Sequence, residues 1–256
     1  MMNSDVAPEL ILIRPDWPAP ANIRALCTTR AGGASSPPWA SLNLGDHVGD
    51  EAQHVLQNRL RLADACGLPS DAFGWLRQVH GTQIADLSVG DIAAVPEADG
   101  SFTRSDHQAC TILSADCLPV LLCDHSGTTV AAAHAGWRSL CDGVLENLVA
   151  STGLPGSKLM AWLGPAIGPQ AFEVGPEVRA AFMAQDPHAG AAFSASGARA
   201  GHYLADIYRL ALQRLNALGV QNVYGGGFCT VADRHRFYSY RRDGKTGRMA
   251  TVIWKT

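Results

Sequence analysis

The chain has 256 residues, 47% of them hydrophobic, and a formal net charge of −3. This is enough apolar material to bury a sizeable core in one large domain or two small ones. Because there is no net positive field, we expect neither a nucleic acid nor a membrane surface as a partner. The N-terminus lacks a signal-peptide pattern, and no apolar run approaches the roughly 18 residues that span a bilayer.

Seven cysteines, an odd number, are scattered along the chain without a CxxC pair. Such a pattern is typical neither of a disulfide framework nor of a zinc finger or thioredoxin-type site. It indicates a reducing compartment, so we expect a soluble cytoplasmic protein. A monomer is the expectation for its oligomeric state.

Short apolar runs and helical periodicities alternate along the chain. The predicted strands, in chain order, span residues 10–14, 73–79, 84–87, 101–102, 110–113, 119–123, 128–133, 159–163, 222–224 and 249–254. The predicted helices lie between the N-cap Asp50 and Gly67, and over residues 140–149, 176–183 and 204–218. Glycine, serine, proline or alanine enrichment predicts loops over residues 30–43 and 187–201.

Helices and strands intermix without the strict alternation of a Rossmann sheet. The chain shows no internal repeat and no linker. We therefore predict one catalytic domain over residues 1–256, of the α/β class (α+β type), with mixed β-sheets flanked by helices in a layered sandwich. Roughly the first 20 residues are expected to be peripheral, as chain termini often are.

Three potential metal ligands stand where predicted strands end, namely His80, Cys117 and His134. Each has apolar or small neighbours, among which an unpaired polar group is costly. Two imidazoles and a thiolate suit zinc, and three protein ligands leave a fourth position for water or substrate. The long gaps between them match no short metal motif. The residues alone therefore leave open hydrogen-bonded buried histidines and an inert cysteine.

Six phrases resemble, in order, the signature phrases of one family: RQVHG, SADCLPVLL, AAAHAGWR, GPAIGP, EVGPEV and FYSYRRDGKTGR. The chain is similar, from residue 28 to residue 248, to the laccase-domain or polyphenol oxidase proteins. That family is now described as purine nucleoside phosphorylases and includes peptidoglycan editing factors. The resemblance implies that His80, Cys117 and His134 are catalytic and bind zinc, with copper as the alternative metal.

Two positions depart from the family pattern. Ser139 follows HAGWR, where family members commonly have glycine, and Gln170 follows GPAIGP, where they often have cysteine. Ser139 is a candidate N-cap for the next helix. Because residue 170 is glutamine in this chain, any role of the cysteine found there in other family members is absent. Neither change touches the three candidate ligands.

Several arginines and one asparagine are candidates for binding substrate. Three arginines are preferred, from a set that also contains Arg77, Arg242 and Arg248. Arginine supplies paired donors for phosphate, and Arg30 is the first choice because its glycine-rich loop can add backbone donors. Arg138 and Arg241 are further candidates, with surface salt bridges as an equal alternative. Asn43 could contact substrate or serve as a turn residue. Asp116 could orient a metal ligand, although a cap or a turn explains it as well.

The resemblance implies phosphorolysis of adenosine, inosine and methylthioadenosine, with purine nucleoside and phosphate as the bound partners. Deamination of adenosine is the implied side activity, for which zinc-activated water is a sensible nucleophile. One alternative is a copper-dependent polyphenol oxidase, but the sequence lacks an H-x-H pair for additional copper ions. Another is an amide hydrolase that edits cell-wall precursors, with Cys117 as nucleophile and a histidine as base.

Overall fold

The computed structural model describes residues 9–89, 94–195 and 198–256. Its strands are β1 (Leu12–Ile13), β2 (Ile23–Thr28), β3 (Phe73–Gly74), β4 (Ile84–Asp86), β5 (Gly100–Thr103), β6 (Ala109–Ser114), β7 (Leu118–Asp124), β8 (Val130–Ala135), β9 (Leu159–Leu163), β10 (Glu173–Val174), β11 (Phe193–Ala195), β12 (Tyr203–Ala205), β13 (Asn222–Gly225) and β14 (Met249–Lys255). Its α-helices are α1 (Ala52–Cys66), α2 (Trp137–Asp142), α3 (Val144–Thr152), α4 (Pro176–Gln185), α5 (Ile207–Ala217) and α6 (Tyr240–Asp243). Short 3₁₀ helices span Ser70–Ala72, Gly156–Lys158 and Pro187–Ala192.

Two large sheets lie face to face. One has the strand order β1-β2-β14-β6-β3 and the other the order β13-β9-β7-β8-β5-β4. Helix α1 packs on the outer face of the first sheet. Helices α2 to α5 cover the outer face of the second, together with the small sheet β10-β12-β11. The predicted layered α/β sandwich is confirmed, since each apolar face is buried against another layer.

Alternating side chains bury the central strands on both faces. In β7, Leu118, Val120 and Leu122 pack toward the helices. Leu121 and Cys123 pack toward the other sheet. A strand buried on both sides reads as a continuous apolar run, which is why the sequence predicts it well. The polar residues just before and after such strands are therefore placed at the edge of the core.

The strand predicted over residues 73–79 is wrong beyond Gly74, because only Phe73–Gly74 pairs with β6. The side-chain amide of Gln78 donates to the carbonyl of Leu113 and accepts from its N–H, each at 2.8 Å. The carboxylate of Asp99 accepts the N–H groups of residues 79–81. Side chains thus satisfy backbone groups that a neighbouring strand would otherwise bind.

Two predicted helices have different bounds. Residues 140–149 fall in α2 and α3, which Gly143 separates with φ 102°, a conformation that suits glycine. The helix predicted over residues 204–218 begins only at Ile207. Asp206 caps it by accepting a first-turn N–H at 3.0 Å, and the residues before Asp206 form β12.

The prediction that Asp50 is the N-cap of α1 is wrong. Glu51 holds that position without a side-chain hydrogen bond. Asp50 instead accepts hydrogen bonds from Ser35 Oγ at 2.7 Å and Asn43 Nδ2 at 2.8 Å, so it ties the glycine-rich loop to the start of the helix. The predicted end of the helix is confirmed, because Gly67 follows it with φ 65°.

The loop predicted over residues 187–201 contains regular structure. A 3₁₀ helix covers Pro187–Ala192, and β11 follows it. Ala189 and Ala192 are buried, because small side chains allow this segment to pack closely on α4 and α5. Residues 196–197 of the prediction lie outside the described residues.

All seven cysteines are free thiols. Among the described residues, no helix is long and apolar enough to cross a membrane. The cytoplasmic location, the monomeric state and the extent of one catalytic domain with a peripheral N-terminus stay predictions.

Candidate metal centre

Three side chains from separate segments converge on one point. Cys117 directly precedes β7, His134 lies on β8, and His80 follows the segment after β3. The ligand atoms of the three residues all lie within 4.8 Å of one another. Cys117 Sγ is 3.8 Å from His80 Nε2. Within residues 9–89, 94–195 and 198–256, this is the one group of three or more such side chains that could hold a metal ion.

Asp99, a fully buried residue just before β5, holds both histidines in position. Its carboxylate accepts the N–H groups of Val79 at 3.0 Å, His80 at 3.0 Å and Gly81 at 2.6 Å. These bonds stabilise the φ of 61° at His80, which residues other than glycine rarely adopt. The carboxylate also accepts from Nδ1 of His134 at 2.8 Å, which leaves Nε2 available to a metal.

Burial and pairing act in opposite directions on the thiol of Cys117. Burial raises its pKa, but the charges and hydrogen bonds of His134 and His80 outweigh burial and lower the pKa to about 6. For His134, burial lowers the pKa, whereas Cys117 and Asp99 raise it to about 9. At neutral pH the metal-free pair is therefore a thiolate and an imidazolium. The thiolate is the form that binds metals.

The donor set fits zinc, and so does the spacing of one donor pair. Zinc–sulfur and zinc–nitrogen bonds of about 2.3 Å and about 2.1 Å at a tetrahedral angle put sulfur and nitrogen about 3.6 Å apart. The observed distance of 3.8 Å between Cys117 Sγ and His80 Nε2 is close to that value. The bond from His134 to Asp99 is the usual support for a metal-binding imidazole.

Gly136 keeps the space beside the ligands clear. A Cβ atom at this position would lie 2.8 Å from His80 Cδ2 and 3.2 Å from Cys117 Sγ. Gly136 is also the N-cap of α2, and no side chain caps that helix. The cap predicted for Ser139 is wrong, because Ser139 lies inside the first turn with its Oγ 3.4 Å from the carbonyl oxygen of Gly136.

A cavity of about 460 Å³ opens onto the three side chains. That volume is within the range of small-molecule sites, about 300–1,000 Å³. Besides His80, Cys117 and His134, the cavity is lined by His47, Gln78, Leu113, Ser114, Ala115, Tyr240 and Arg248. The Arg248 guanidinium carbon lies 6.0 Å from the centre of the Tyr240 ring. The site thus combines metal-binding donors with an aromatic ring and a fixed positive charge.

Known proteins match this chain over most of its length. A family model described as "Multi-copper polyphenol oxidoreductase laccase" matches residues 24–256. The chain belongs to this laccase family. The family resemblance carried by the six sequence phrases is therefore confirmed.

Several curated proteins that are similar to this chain are named purine nucleoside phosphorylase. The protein from Pseudomonas aeruginosa is 55% identical over 94% of this chain and 97% of its own length. Escherichia coli YfiH is 53% identical over 95% and 98% of the two chains. The crystal structure of a Neisseria meningitidis protein has a TM-score of 0.90 and 48% identity, and covers 95% of this chain and 98% of that chain.

In this laccase-family chain, Arg30 makes its contacts outside the cavity lining. Its Nε and Nη2 donate to the carbonyl of Ala40 at 3.1 and 3.0 Å, and its Nη1 donates to the carbonyl of Arg234 at 3.3 Å. The guanidinium also lies over the ring of Tyr238 at 4.8 Å. These contacts hold the glycine-rich loop against the C-terminal segment. Phosphate binding by Arg30 stays a prediction.

Asn43 is fully buried and serves as a turn residue. Its Nδ2 donates to the carbonyl of Gly45 at 3.0 Å and to Asp50 at 2.8 Å. Its Oδ1 accepts the N–H groups of Gly45 at 3.0 Å and Arg248 at 2.9 Å. Asn43 therefore acts on the cavity through Arg248. Direct contact between Asn43 and substrate stays a prediction.

Arg138 and Arg241 also lie outside the cavity lining. The guanidinium of Arg138 stacks on the neighbouring Trp137 ring at 4.3 Å. Arg241 donates its backbone N–H to Asp116 at 2.6 Å, and its Nη1 to the carbonyl of Glu173 at 3.0 Å. Asp116 thus tethers the loop that carries Cys117. Substrate binding by either arginine stays a prediction.

Sequence reasoning missed Asp99, His47 and Tyr240, and it chose Arg241 in preference to Arg248. Arg241 and Arg248 both belong to the phrase FYSYRRDGKTGR. A phrase does not show whether a residue contributes its backbone or its side chain. The available signal for Asp99 is an acidic residue directly before a buried strand, where an unpaired carboxylate would be costly.

Proposed function

We propose that this chain is a zinc-dependent purine nucleoside phosphorylase acting on adenosine, inosine and methylthioadenosine, with adenosine deamination as a side activity. The observation that supports it is the His80–Cys117–His134 group opening onto a cavity of nucleoside-compatible size. The name carried by relatives up to 55% identical specifies the reaction class.

In phosphorolysis, a phosphate oxygen forms a bond to C1′ of the ribose. The bond between C1′ and N9 breaks, and its electron pair stays with the purine, which takes up a proton. The products are the free base and ribose 1-phosphate, or 5-methylthioribose 1-phosphate when methylthioadenosine is the substrate. Neither oxidation nor reduction occurs, so this reaction needs no electron acceptor.

The residues of the cavity have separate roles in this proposal. His80, Cys117 and His134 would hold zinc, which when bound supplies Lewis acidity. Asp99 keeps a proton on Nδ1 of His134 and so directs Nε2 toward the metal position. Tyr240 is 61% exposed, and its ring offers a face on which a purine can stack.

The contact between Cys117 Sγ and His80 Nε2 at 3.8 Å favours a second candidate function. The pKa of Cys117 is lowered to about 6 beside His134, and a thiolate paired with an imidazolium is also the form of a cysteine nucleophile. An amide hydrolase acting on cell-wall precursors would use that pair without metal. A tightly bound zinc ion would occupy the same sulfur, so the two functions exclude each other at this site.

Multicopper chemistry has less support from the residues. A laccase requires, besides a His₂Cys copper, a cluster of further histidines for additional copper ions. In the described part of the chain, the His80–Cys117–His134 group is the one cluster of the required kind. A single copper ion bound in place of zinc would account for any weak phenol oxidation by this protein.

Metal reconstitution tests these functions together. Protein stripped by a chelator is reloaded with zinc, with copper or with no metal, and each form is given adenosine and phosphate or, in a separate assay, a cell-wall peptide with an amide bond. We expect zinc alone to restore release of ribose 1-phosphate, and to restore inosine formation when phosphate is omitted. Amide hydrolysis by the metal-free form, without ribose 1-phosphate release by the zinc form, would contradict the proposal.

A further inference from the structure

A second cavity, of about 410 Å³, adjoins the cavity at the metal centre. The two share His47, Tyr240 and Arg248. The rest of the second lining is Val48, Gly244, Lys245 and Thr246, so most of it comes from the turn between α6 and β14. A molecule filling both cavities would have one end at the three metal-binding side chains and the other end at this turn.

The second cavity carries positive charge. Lys245 is exposed, and its Nζ lies 4.6 Å from the centre of the Trp39 ring. Arg248 uses Nη1 for the carbonyls of Thr246 at 3.1 Å and Gly247 at 3.0 Å. Neither cation has a carboxylate oxygen within 4.0 Å among the described residues. Lys245 can therefore meet an anion directly, and Arg248 can add its charge from the border between the two cavities.

The nearest acidic residues along the chain do not cancel this charge. Asp46 and Asp243 line neither cavity. Asp46 pairs with Arg59 at 3.1 Å and contacts His47 at 3.4 Å, and Asp243 pairs with Arg242 at 2.7 Å. Because these carboxylates are already paired, they leave the charge of Lys245 in place. The negative charges that act on Arg248 are those of Asp116, which lines neither cavity, and of Cys117, which lines only the metal-site cavity.

Two buried hydroxyl groups in the linings lack a partner. Thr246, in the second cavity, and Ser114, in the metal-site cavity, are each 2% exposed. Neither hydroxyl has a hydrogen-bond partner among the described residues. Leaving a buried donor unsatisfied costs about 1–3 kcal/mol, so a ligand oxygen that reached either hydroxyl would remove a cost that the fold otherwise carries.

We propose that the second cavity is an oxyanion subsite that binds phosphate through Lys245, Arg248 and the hydroxyl of Thr246. This inference rests on the proposed function, in which phosphate attacks C1′ of a nucleoside held in the metal-site cavity. Arginine and lysine neutralise the phosphate charge, and the hydroxyl donates to one of its oxygens. The nucleoside and the phosphate then occupy adjoining cavities, which supplies the proximity that a two-substrate reaction needs.

Binding of inorganic phosphate to the zinc-loaded protein tests the subsite without catalysis. We expect Lys245→Gln and Thr246→Val each to raise the Kd about tenfold, as loss of a hydrogen bond to a charged group does. Both variants are conservative, and circular dichroism checks their folds. The matched control is Lys158→Gln, which removes an exposed lysine that lines neither cavity and should leave the Kd unchanged. Unchanged Kd values in both test variants would overturn the subsite.

Two further readouts separate the subsite from the proposed function. Lys245-dependent phosphate binding without ribose 1-phosphate release would support the subsite and contradict the function. Ribose 1-phosphate release with an unaltered KM for phosphate in both variants would support the function and contradict the subsite. Adenosine 5′-monophosphate is the second ligand tested, because its phosphate group has the same chemistry. If Lys245→Gln weakens only the nucleotide, the subsite does not bind free phosphate and the proposal is wrong.

Discussion

Nδ1 of His134 donates to the Asp99 carboxylate across 2.8 Å, and the same carboxylate accepts the backbone N–H of His80 at 3.0 Å. One buried side chain thereby fixes two of the three proposed ligands, which come from different segments. The geometry of the candidate centre depends on a residue that is not itself one of the ligands.

Replacing Asp99 with asparagine should weaken zinc binding roughly 10- to 100-fold, as loss of a carboxylate behind a metal-binding histidine generally does. The amide is nearly isosteric, but it lacks the charge that favours the required His134 tautomer and the left-handed backbone of His80. Zinc affinity is measured by competition with a chromophoric chelator.

Asp124 is the matched control for Asp99. Its carboxylate also accepts backbone N–H groups, from Ser126 at 3.1 Å, Thr128 at 2.7 Å and Thr129 at 2.6 Å, but it contacts none of the proposed ligands. We expect Asp124→Asn to lower the Tm without altering zinc affinity. Equal losses of zinc affinity in the two variants would show that Asp99 has only a general structural role.

Gly136→Ala should lower zinc affinity at least about tenfold, because the added Cβ would lie 2.8 Å from His80 Cδ2 and displace a ligand. Metal content after dialysis, measured by mass spectrometry, reports the change. Gly81→Ala is the control beside the same site. Its Cβ would meet Asp99 Oδ2 at 3.5 Å, an ordinary contact, so zinc content should be retained. Full zinc content in Gly136→Ala would argue against the proposed ligand positions.

In metal-free protein, the thiolate of Cys117 should form as the pH rises through about 6. Its ultraviolet absorbance should be present at pH 7 and lost at pH 5. His134→Gln removes the main favourable charge, so the midpoint should move upward, toward the value of about 8.5 for an ordinary thiol. Burial raises the pKa of Cys27 and Cys110 to about 12, and these thiols stay silent in this range. A midpoint that does not move in His134→Gln would refute the pairing.

Asn43→Ala should lower the free energy of unfolding by about 2–4 kcal/mol, because a buried set of hydrogen bonds is lost. The control Asn147→Ala removes one bond to the carbonyl of Thr82 and should cost about 1 kcal/mol or less. Urea unfolding measures both. If Asn43 instead contacts substrate, the KM for adenosine would rise while stability stayed near that of the control.

Physical reasons explain why the strands around β7 can be predicted from the sequence, whereas β2 (Ile23–Thr28) is missed. The three candidate ligands are suggested by their positions at predicted strand ends, and the family resemblance then supports them. Strands such as β7 are buried on both faces and form unbroken apolar runs, so polar residues at their ends are conspicuous. Cys117 and His134 occupy such positions. His80 does not end a strand. The side chain of Gln78 binds the backbone of Leu113, and the Asp99 carboxylate accepts the N–H of His80, so side chains replace the hydrogen bonds of a strand here.

The rest of the site depends on contacts between distant parts of the chain. Asp99 and His134 are 35 residues apart in sequence. The roles of Arg241 and Arg248 differ because Asp116, 125 residues before Arg241, holds the backbone N–H of Arg241. Neighbouring residues in one phrase therefore serve different purposes, which local patterns do not specify.

The most direct test of the central claim compares zinc content and ribose 1-phosphate release in wild-type, Cys117→Ala and Cys66→Ala proteins. Cys66 is a free cysteine on α1, away from the candidate centre, and serves as the control. We expect one zinc per chain and phosphate-dependent release of ribose 1-phosphate from adenosine in wild type and Cys66→Ala, with both lost in Cys117→Ala. Undiminished zinc content and ribose 1-phosphate release in Cys117→Ala would contradict it.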